Sequence, residues 1–478
     1  MQRTIGPILA ALSLLSLSLC STTASSQQPP AAPAAARAIG TWIGPLHVGT
    51  VNMRLQMTIR ADSTRGLAGV LKAIDQGGAE APATVEVRGD SMSFTIPEQG
   101  IKYSGVMDAA GDSIRGTFVQ GQSFPLTFAR SAAAATIRRP QDPVAPFPYQ
   151  TKDVVFESAP GIRLSGTIDI PPGKGPFPAV VFVTGSGPQD RDEAGMGHRP
   201  FLVIADYLAR HGIASLRYDD RGTAQSTGDF ASSTTADFAV DAEAAVHFLK
   251  AMPQLASRIG ILGHSEGGLI APMVAARSRD VDFIVMLAGP GVADDSLMLL
   301  QNRAFAIAAG APSARVENAM RINRALFDAI RNAKDSSDAD RRLGAAKADI
   351  LASLPEAGRA ATAASIDQAI PGLLTPWMRY FVKYDTRDAL RRVRVPVLAL
   401  GGSLDTQVPA HEDLAGIDTA LKAAGNHDYR VVELPGLNHQ FQPAKTGLPA
   451  EYASIDETVA PQVLDLIASW IKQRFGER

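Results

Sequence analysis

Cysteine is almost absent from this chain: the single thiol among 478 residues is Cys20. One cysteine supports no disulfide framework, no cysteine-based zinc cluster and no dithiol exchange. Neither sign of charge is in excess, since 46 lysines and arginines face 48 aspartates and glutamates for a formal net charge of −2. That balance sets up no long-range field to gather nucleic acid or a highly charged substrate. The sequence has no H-E-x-x-H pair and no Walker lysine loop, and Gly185-x-Gly187 lacks the third glycine and the acidic follower of a dinucleotide site. No metal and no cofactor is therefore expected. Long apolar runs are missing as well. Ile5 to Leu19, behind Arg3 and ahead of Ala24 and Ser26, is shorter than the roughly 20 residues of a membrane span and leads into a Pro/Ala/Gln tract. Residues 1–26 read instead as an export signal, which predicts a periplasmic or secreted protein without a stable membrane span. Lipid anchoring at Cys20 is the alternative, disfavoured by the bulky Leu19 before it.

The length calls for more than one hydrophobic core. Residues 27–37 are Pro/Ala-rich and read as a disordered spacer. From 38 to 130 apolar residues recur at every second position, as in Val51, Met53, Leu55, Met57 and Ile59, with Gly-containing turns between runs; the pattern predicts a small all-β domain. A second Ala/Pro-rich linker, expected to be extended and exposed, covers 131–150. From 151 to 478 apolar strands alternate with amphipathic helices, the pattern of a mostly parallel sheet covered on both faces. Strands are predicted at 179–184, 213–218, 258–262, 283–288, 395–400 and 429–434. Helices are predicted at 200–211, 237–250, 269–277, 411–424 and 455–474. The Ala-rich interval from about 291 to 390 is too long for one crossover and reads as an inserted helical cap.

Within this last region, Gly263-His264-Ser265-Glu266-Gly267-Gly268 joins a short apolar strand to a small-residue helix start. G-x-S-x-G in that setting is the pattern of a nucleophile elbow. Serine needs a histidine base and a carboxylate that orients it, each following a later strand. Asp405 follows the strand ending at Leu400, and His439 follows the strand ending at Leu434. None of the other seven of the 8 histidines has that post-strand setting, and His264 is expected on the wrong face of the elbow. Asp413 is the rival acid, weakened by its expected place on a helix. The loop Gly185-Ser186-Gly187-Pro188 predicts an oxyanion hole formed by the backbone N–H groups of Ser186 and Glu266, with Gly187 as the neighbouring candidate. Asp219-Asp220-Arg221-Gly222 reads as a structural ion-pair and turn cluster. Gln189, Trp377 and Phe381 are candidate substrate-pocket residues, the last two sharing a helical face at four-residue spacing.

Gly185-Ser186-Gly187-Pro188-Gln189-Asp190-Arg191-Asp192, Tyr218-Asp219-Asp220-Arg221-Gly222, the elbow, Pro376-Trp377-Met378-Arg379-Tyr380-Phe381 and Leu437-Asn438-His439 together resemble bacterial α/β-hydrolases of the serine aminopeptidase-like type, including carboxylesterases with an added N-terminal β domain. The resemblance runs from about Gly40 to the C-terminus. Thr184 stands where related hydrolases often carry histidine. What it implies is an α/β-hydrolase fold with a helical cap, a Ser265, Asp405, His439 triad, and hydrolysis of small, short-chain carboxylic esters through an acyl-enzyme. The alternative within the fold is an aminopeptidase or amidase in which Asp190, Asp192, Glu193 or Glu266 holds a substrate ammonium. An alternative of another class is a non-catalytic binding protein.

Overall fold

The computed structural model describes residues 32–48, 51–63, 66–74, 80–132 and 139–476. The expected export signal and Cys20 lie outside the described residues. The chain divides into two compact units, Met1–Arg138 and Arg139–Arg478.

In the first unit a short helix α1 (Ala32–Ala38) precedes eight strands: β1 (Gly40–Val48), β2 (Val51–Asp62), β3 (Gly66–Ala73), β4 (Glu80–Arg88), β5 (Ser91–Ile96), β6 (Ile101–Met107), β7 (Ser113–Gln120) and β8 (Gln122–Ser131). They form a closed barrel in sequence order, each strand antiparallel to the next. β1 seals on β8, with Trp42 opposite Arg130. Alternation decides which side chains go in: along β5, Met92, Phe94 and Ile96 are buried while Ser91 is exposed. Eight strands leave an interior that side chains can fill. Here Phe94 stacks on Tyr103 at 5.2 Å, Phe128 meets Tyr103 edge-on at 5.2 Å, and the buried Tyr103 hydroxyl donates to the Ile114 carbonyl at 3.0 Å. The helix α1 corrects part of the expected disordered spacer. Its Ala-rich sequence has high helix propensity, and its last carbonyl, on the buried Ala38, accepts the Trp42 indole N–H at 2.8 Å.

The second unit contains β9 (Gln150–Ala159), β10 (Ile162–Ile170), β11 (Phe177–Val183), α2 (Pro200–Arg210), β12 (Ala214–Tyr218), α3 (Thr235–Lys250), β13 (Ala256–His264), α4 (Glu266–Ala275) and β14 (Phe283–Leu287). Six helices follow, α5 (Asp294–Ala308), α6 (Ser313–Arg331), α7 (Ser336–Ala352), α8 (Glu356–Leu373), α9 (Pro376–Phe381) and α10 (Thr386–Leu390), then β15 (Val397–Gly402), α11 (Ala410–Ala423), β16 (Tyr429–Leu434) and α12 (Pro461–Phe475). The sheet order is β9-β10-β12-β11-β13-β14-β15-β16, antiparallel only at β9, β10 and the β10–β12 pairing. This is the α/β-hydrolase fold. Period two again sorts the residues: Ala179, Val181 and Val183 of β11 face the core with α3, α4 and α11, while Val180 and Phe182 face α2 and α12. The cap, α5 to α10, is inserted between β14 and β15 and has a small core of its own around Phe327, Ile330, Leu343 and Ile366.

Two boundaries differ from expectation. The last helix begins at Pro461 and not at Ile455, because proline fixes the first turn and holds Ala460 extended at φ −56°, ψ 131°. Residues 139–149 are exposed from Val144 to Pro148, as expected, but are anchored at both ends, with Tyr149 buried and bonded to Asp206 at 2.8 Å. The Arg139 guanidinium donates to the carbonyls of Met196, Gly197, Ala453 and Ile455, and Gln141 bonds the backbone of Thr458 and Val459.

Phe94 is 1% exposed at the centre of the barrel's aromatic cluster. Phe94→Ala should destabilise the barrel by about 3–5 kcal/mol through lost burial and an unfilled cavity. Differential scanning calorimetry of the full chain reads this as a lowered transition; an unchanged thermogram contradicts the packing described.

Candidate active site

β13 ends at His264 and α4 begins at Glu266, so Ser265 alone makes the turn between them, at φ 54° and ψ −116°. A non-glycine residue held there costs about 1–3 kcal/mol and persists only where its surroundings enforce it. The enforcement is visible. Ser265 N–H donates to the Leu287 carbonyl of β14 at 2.9 Å, and Gly268 N–H donates to the Ser265 carbonyl at 2.9 Å. The flanking glycines answer to close approach: a Cβ on Gly263 would lie 1.9 Å from the Gly267 carbonyl oxygen, and one on Gly267 would lie 2.0 Å from that of Val183.

Beside this turn runs the loop after β11. Asp220, after β12, accepts the Thr184 hydroxyl at 2.7 Å and the Gln189 N–H at 2.9 Å, so it grips the loop at both ends. Its neighbour Asp219 takes a bidentate bond from Arg191 (3.0 and 2.8 Å). The Asp219-Asp220 pair thus shapes the loop on which Ser186 sits. Thr184 is the hydroxyl donor that makes this possible. Gly185 N–H is committed to Glu193 Oε1 at 2.8 Å. The N–H groups of Ser186 and of Glu266, the first residue of α4, have no protein acceptor among the described residues. Ser186 borders the same cavity as Ser265, and Glu266 directly follows the serine at the positive end of α4.

The acid and the imidazole arrive from the two following strands. Asp405 Oδ1 accepts the Gln407 and Val408 N–H groups, each at 2.8 Å, which leaves Oδ2 for His439 Nδ1 at 2.8 Å. That bond places the proton on Nδ1 and leaves Nε2 as the basic nitrogen. The His439 loop is fixed by Asn438, whose side-chain oxygen accepts the Gln440 and Gln442 N–H groups. Ser265 and His439 border one cavity of about 230 Å³, lined also by Ser186, Gln189, Met196 and Tyr452. The rival acid is elsewhere: Asp413 Oδ1 accepts Gly291 N–H at 2.8 Å and secures the chain leaving β14.

Trp377 and Phe381 stack at 4.8 Å, as their spacing predicts, but neither lines that cavity. The expected pocket role is corrected on this point. The Trp377 indole N–H donates at 2.8 Å to Glu266 Oε1, which the Thr235 hydroxyl also reaches at 2.6 Å, and Phe381 is buried in the core over α4. Burial pushes the Glu266 carboxyl up against these two bonds, so the indole serves a buried acid and not an acyl chain. His264 lines the cavity with its ring 4.7 Å from that of His439, but its two nitrogens are taken by Glu193 and the His439 backbone oxygen and not by Ser265. Glu193, named from the sequence only as one of four acids that could hold an ammonium, is bonded instead to Gly185 and His264. Its signal was weak, since an acid in a charged loop is ordinarily solvated.

Residues 160–418 match the family model described as X-Pro dipeptidyl-peptidase (S15 family). Esterase EstD of Thermotoga maritima is 28% identical over 339 residues, 69% of this chain and 69% of its own length. Among solved structures, the Pyrococcus furiosus esterase Pf2001 aligns at TM-score 0.42 and 16% identity over 69% of this chain and 94% of its own. The α/β hydrolase GrgF from Penicillium sp. sh18 aligns at 0.43 and 17% over 69% and 100%.

The two acids separate by experiment. Asp405→Asn should lower kcat by about 10⁴-fold by misplacing the imidazole proton, whereas Asp413→Asn should leave kcat within about threefold, because Asp413 bonds the backbone of Gly291 and Val292 and not the imidazole. A larger loss in the second variant reverses the assignment. Burial pushes Asp413 up to about 7 against the bonds from Gly291 and Val292. A raised carboxyl keeps its proton in the folded chain after the unfolded chain has released its own near 3.9, so folding stability falls as pH rises from about 4 to about 7. The melting temperature of Asp413→Asn should therefore gain on the parent across that window; a constant difference contradicts the shift.

Proposed function

Because the chain belongs to the X-Pro dipeptidyl-peptidase (S15) family of hydrolases, we propose that it is a serine carboxylesterase acting on small, short-chain esters. The observation that carries the reading is the His439 Nδ1–Asp405 Oδ2 bond of 2.8 Å on the same cavity as a serine held at positive φ. In the proposed reaction Ser265 Oγ attacks the ester carbonyl while His439 Nε2 takes its proton. The Ser186 and Glu266 N–H groups receive the oxyanion, and His439 protonates the departing alcohol. Water then repeats the sequence on the acyl-enzyme and releases the acid.

The choice of ester over aminoacyl substrate rests on what the acids are doing. A substrate ammonium needs a carboxylate with capacity to spare. Glu193 Oε1 already accepts from His264 and Gly185, and Glu266 Oε1 from Thr235 and Trp377. Asp192 is paired with Arg217, and Asp190 Oδ1 accepts the Asp192 and Ala194 N–H groups. Each candidate is thus engaged through one oxygen in holding a loop, while Glu193 Oε2 has no partner among the described residues and is where an ammonium at this cavity would be sought. The relative named Esterase EstD supports the same choice. Export is part of the proposal and rests on residues 1–26 alone; N-terminal sequencing of the mature protein from its native host tests it.

Ser265→Ala should abolish ester hydrolysis and labelling by a fluorophosphonate, with kcat down by about 10⁴ to 10⁶, while circular dichroism stays that of the parent. Labelling retained at another serine rejects the nucleophile. p-Nitrophenyl butyrate should be cleaved far faster than alanine p-nitroanilide, and the opposite order would establish the aminopeptidase reading.

A further inference from the structure

His264 is a buried histidine that the proposed reaction does not use. Its Nδ1 lies 2.9 Å from Glu193 Oε1, and its Nε2 lies 3.0 Å from the backbone oxygen of His439. Both partners are acceptors. Glu193 Oε1 also receives the Gly185 N–H, and a backbone oxygen cannot donate. The backbone oxygen places a proton on Nε2, and the Gly185 N–H bond to Glu193 Oε1 favours that oxygen as an acceptor, which places the second proton on Nδ1 with Glu193 as counter-charge. The two side chains are 6% and 5% exposed, and Glu193 is held at φ 52°, a backbone conformation a non-glycine residue rarely adopts. Glu193 Oε2 is buried without a partner, so Oε1 alone makes the connections.

The connections reach three loops. His264 belongs to the turn that presents Ser265, Gly185 to the loop that presents the Ser186 N–H, and the His439 backbone to the loop that presents the base. We propose that Glu193 and imidazolium His264 form a positioning ion pair that locks these three loops in register. The pair also sets the charge beside the base. The charged and titratable groups facing the His264 ring are Glu193, from the loop after β11, and Asp405 and His439, from the loops after β15 and β16. With Glu193 ionised, the His264 cation is compensated, and His439 acquires its own proton 4.7 Å away next to a pair of zero net charge. Burial works against charge on His264, but the Glu193 carboxylate and its bond outweigh it and the imidazole is pushed upward.

The kinetic part of this inference rests on the serine-hydrolase reading; the charge state of His264 does not. ¹H–¹⁵N spectra of the full chain labelled at histidine should show both ring nitrogens of His264 protonated at a pH just above the free-histidine value of about 6.5. His264→Gln identifies the resonance by its disappearance. Glu193→Gln keeps the shape and an acceptor for Gly185 but removes the charge, and should lower kcat on p-nitrophenyl butyrate by roughly tenfold or more with KM within about threefold. In that variant the doubly protonated signature should be lost. A bare ring nitrogen on His264 in the parent at that pH overturns the proposal, as does Glu193→Gln with parental kcat. If Glu193→Gln does not fold, the parental spectrum alone decides. Activity that survives Ser265→Ala would instead reject the serine mechanism and leave the ion pair standing.

Discussion

The close approach of α4 to the centre of the sheet is the constraint from which the rest follows. Ser265 is forced to positive φ because β13 must end and α4 must begin within one residue, and the helix can sit that near the strands only where Gly263 and Gly267 present no Cβ. The cost is backbone strain at one residue, of the size of a single good hydrogen bond. What it achieves is a serine at the sheet's carboxyl edge, next to a helix N–H that has no acceptor among the described residues. Ligands in open parallel sheets bind at that edge for the same topological reason.

Around this fixed point the loops are held by buried charge. Asp219 with Arg191, Asp169 and Asp192 with Arg217, Arg221 with Asp241, and Glu193 with His264 surround the loop after β11. A buried ion pair is a poor source of stability, since desolvation consumes most of its Coulomb energy. Its geometry is demanding, however, and breaking one partner strands the other. Directional pairs therefore suit loops whose N–H groups must point at a developing oxyanion. Asp220 does the same work by two hydrogen bonds, and with Glu266 and Glu193 nearby its own carboxyl is driven upward mainly by burial.

The cap meets the site from behind. Trp377, on a helix of six residues, reaches Glu266 at the start of α4, and Phe381 fills the core beside it. The residue that follows Ser265 therefore has two connected features: its N–H has no acceptor among the described residues and its side chain is moored to the cap. Any adjustment of the cap that moved α9 would be felt one bond away from the serine, through a buried carboxyl that has little tolerance for losing a donor.

The sequence was sufficient for whatever depends on local pattern. Period-two alternation identified the β unit, apolar runs between helices identified six of the sheet's eight strands but not β9 and β10, the short strand and glycines around Ser265 identified the turn, and the order of Asp405 and His439 after their strands followed from how parallel sheets connect. It was insufficient wherever a side chain's role depends on what a distant segment places beside it. The partners of His264 were hidden because its neighbours in sequence say nothing of Glu193, 71 residues away, or of the His439 backbone, 175 residues away. Trp377 and Phe381 had the right spacing for one face, but whether that face meets the cavity or Glu266 is a matter of how α9 lies on α4. Periodicity reports which residues leave water. Only the tertiary structure decides which partners they find there, because burial makes every polar atom's choice of partner binding.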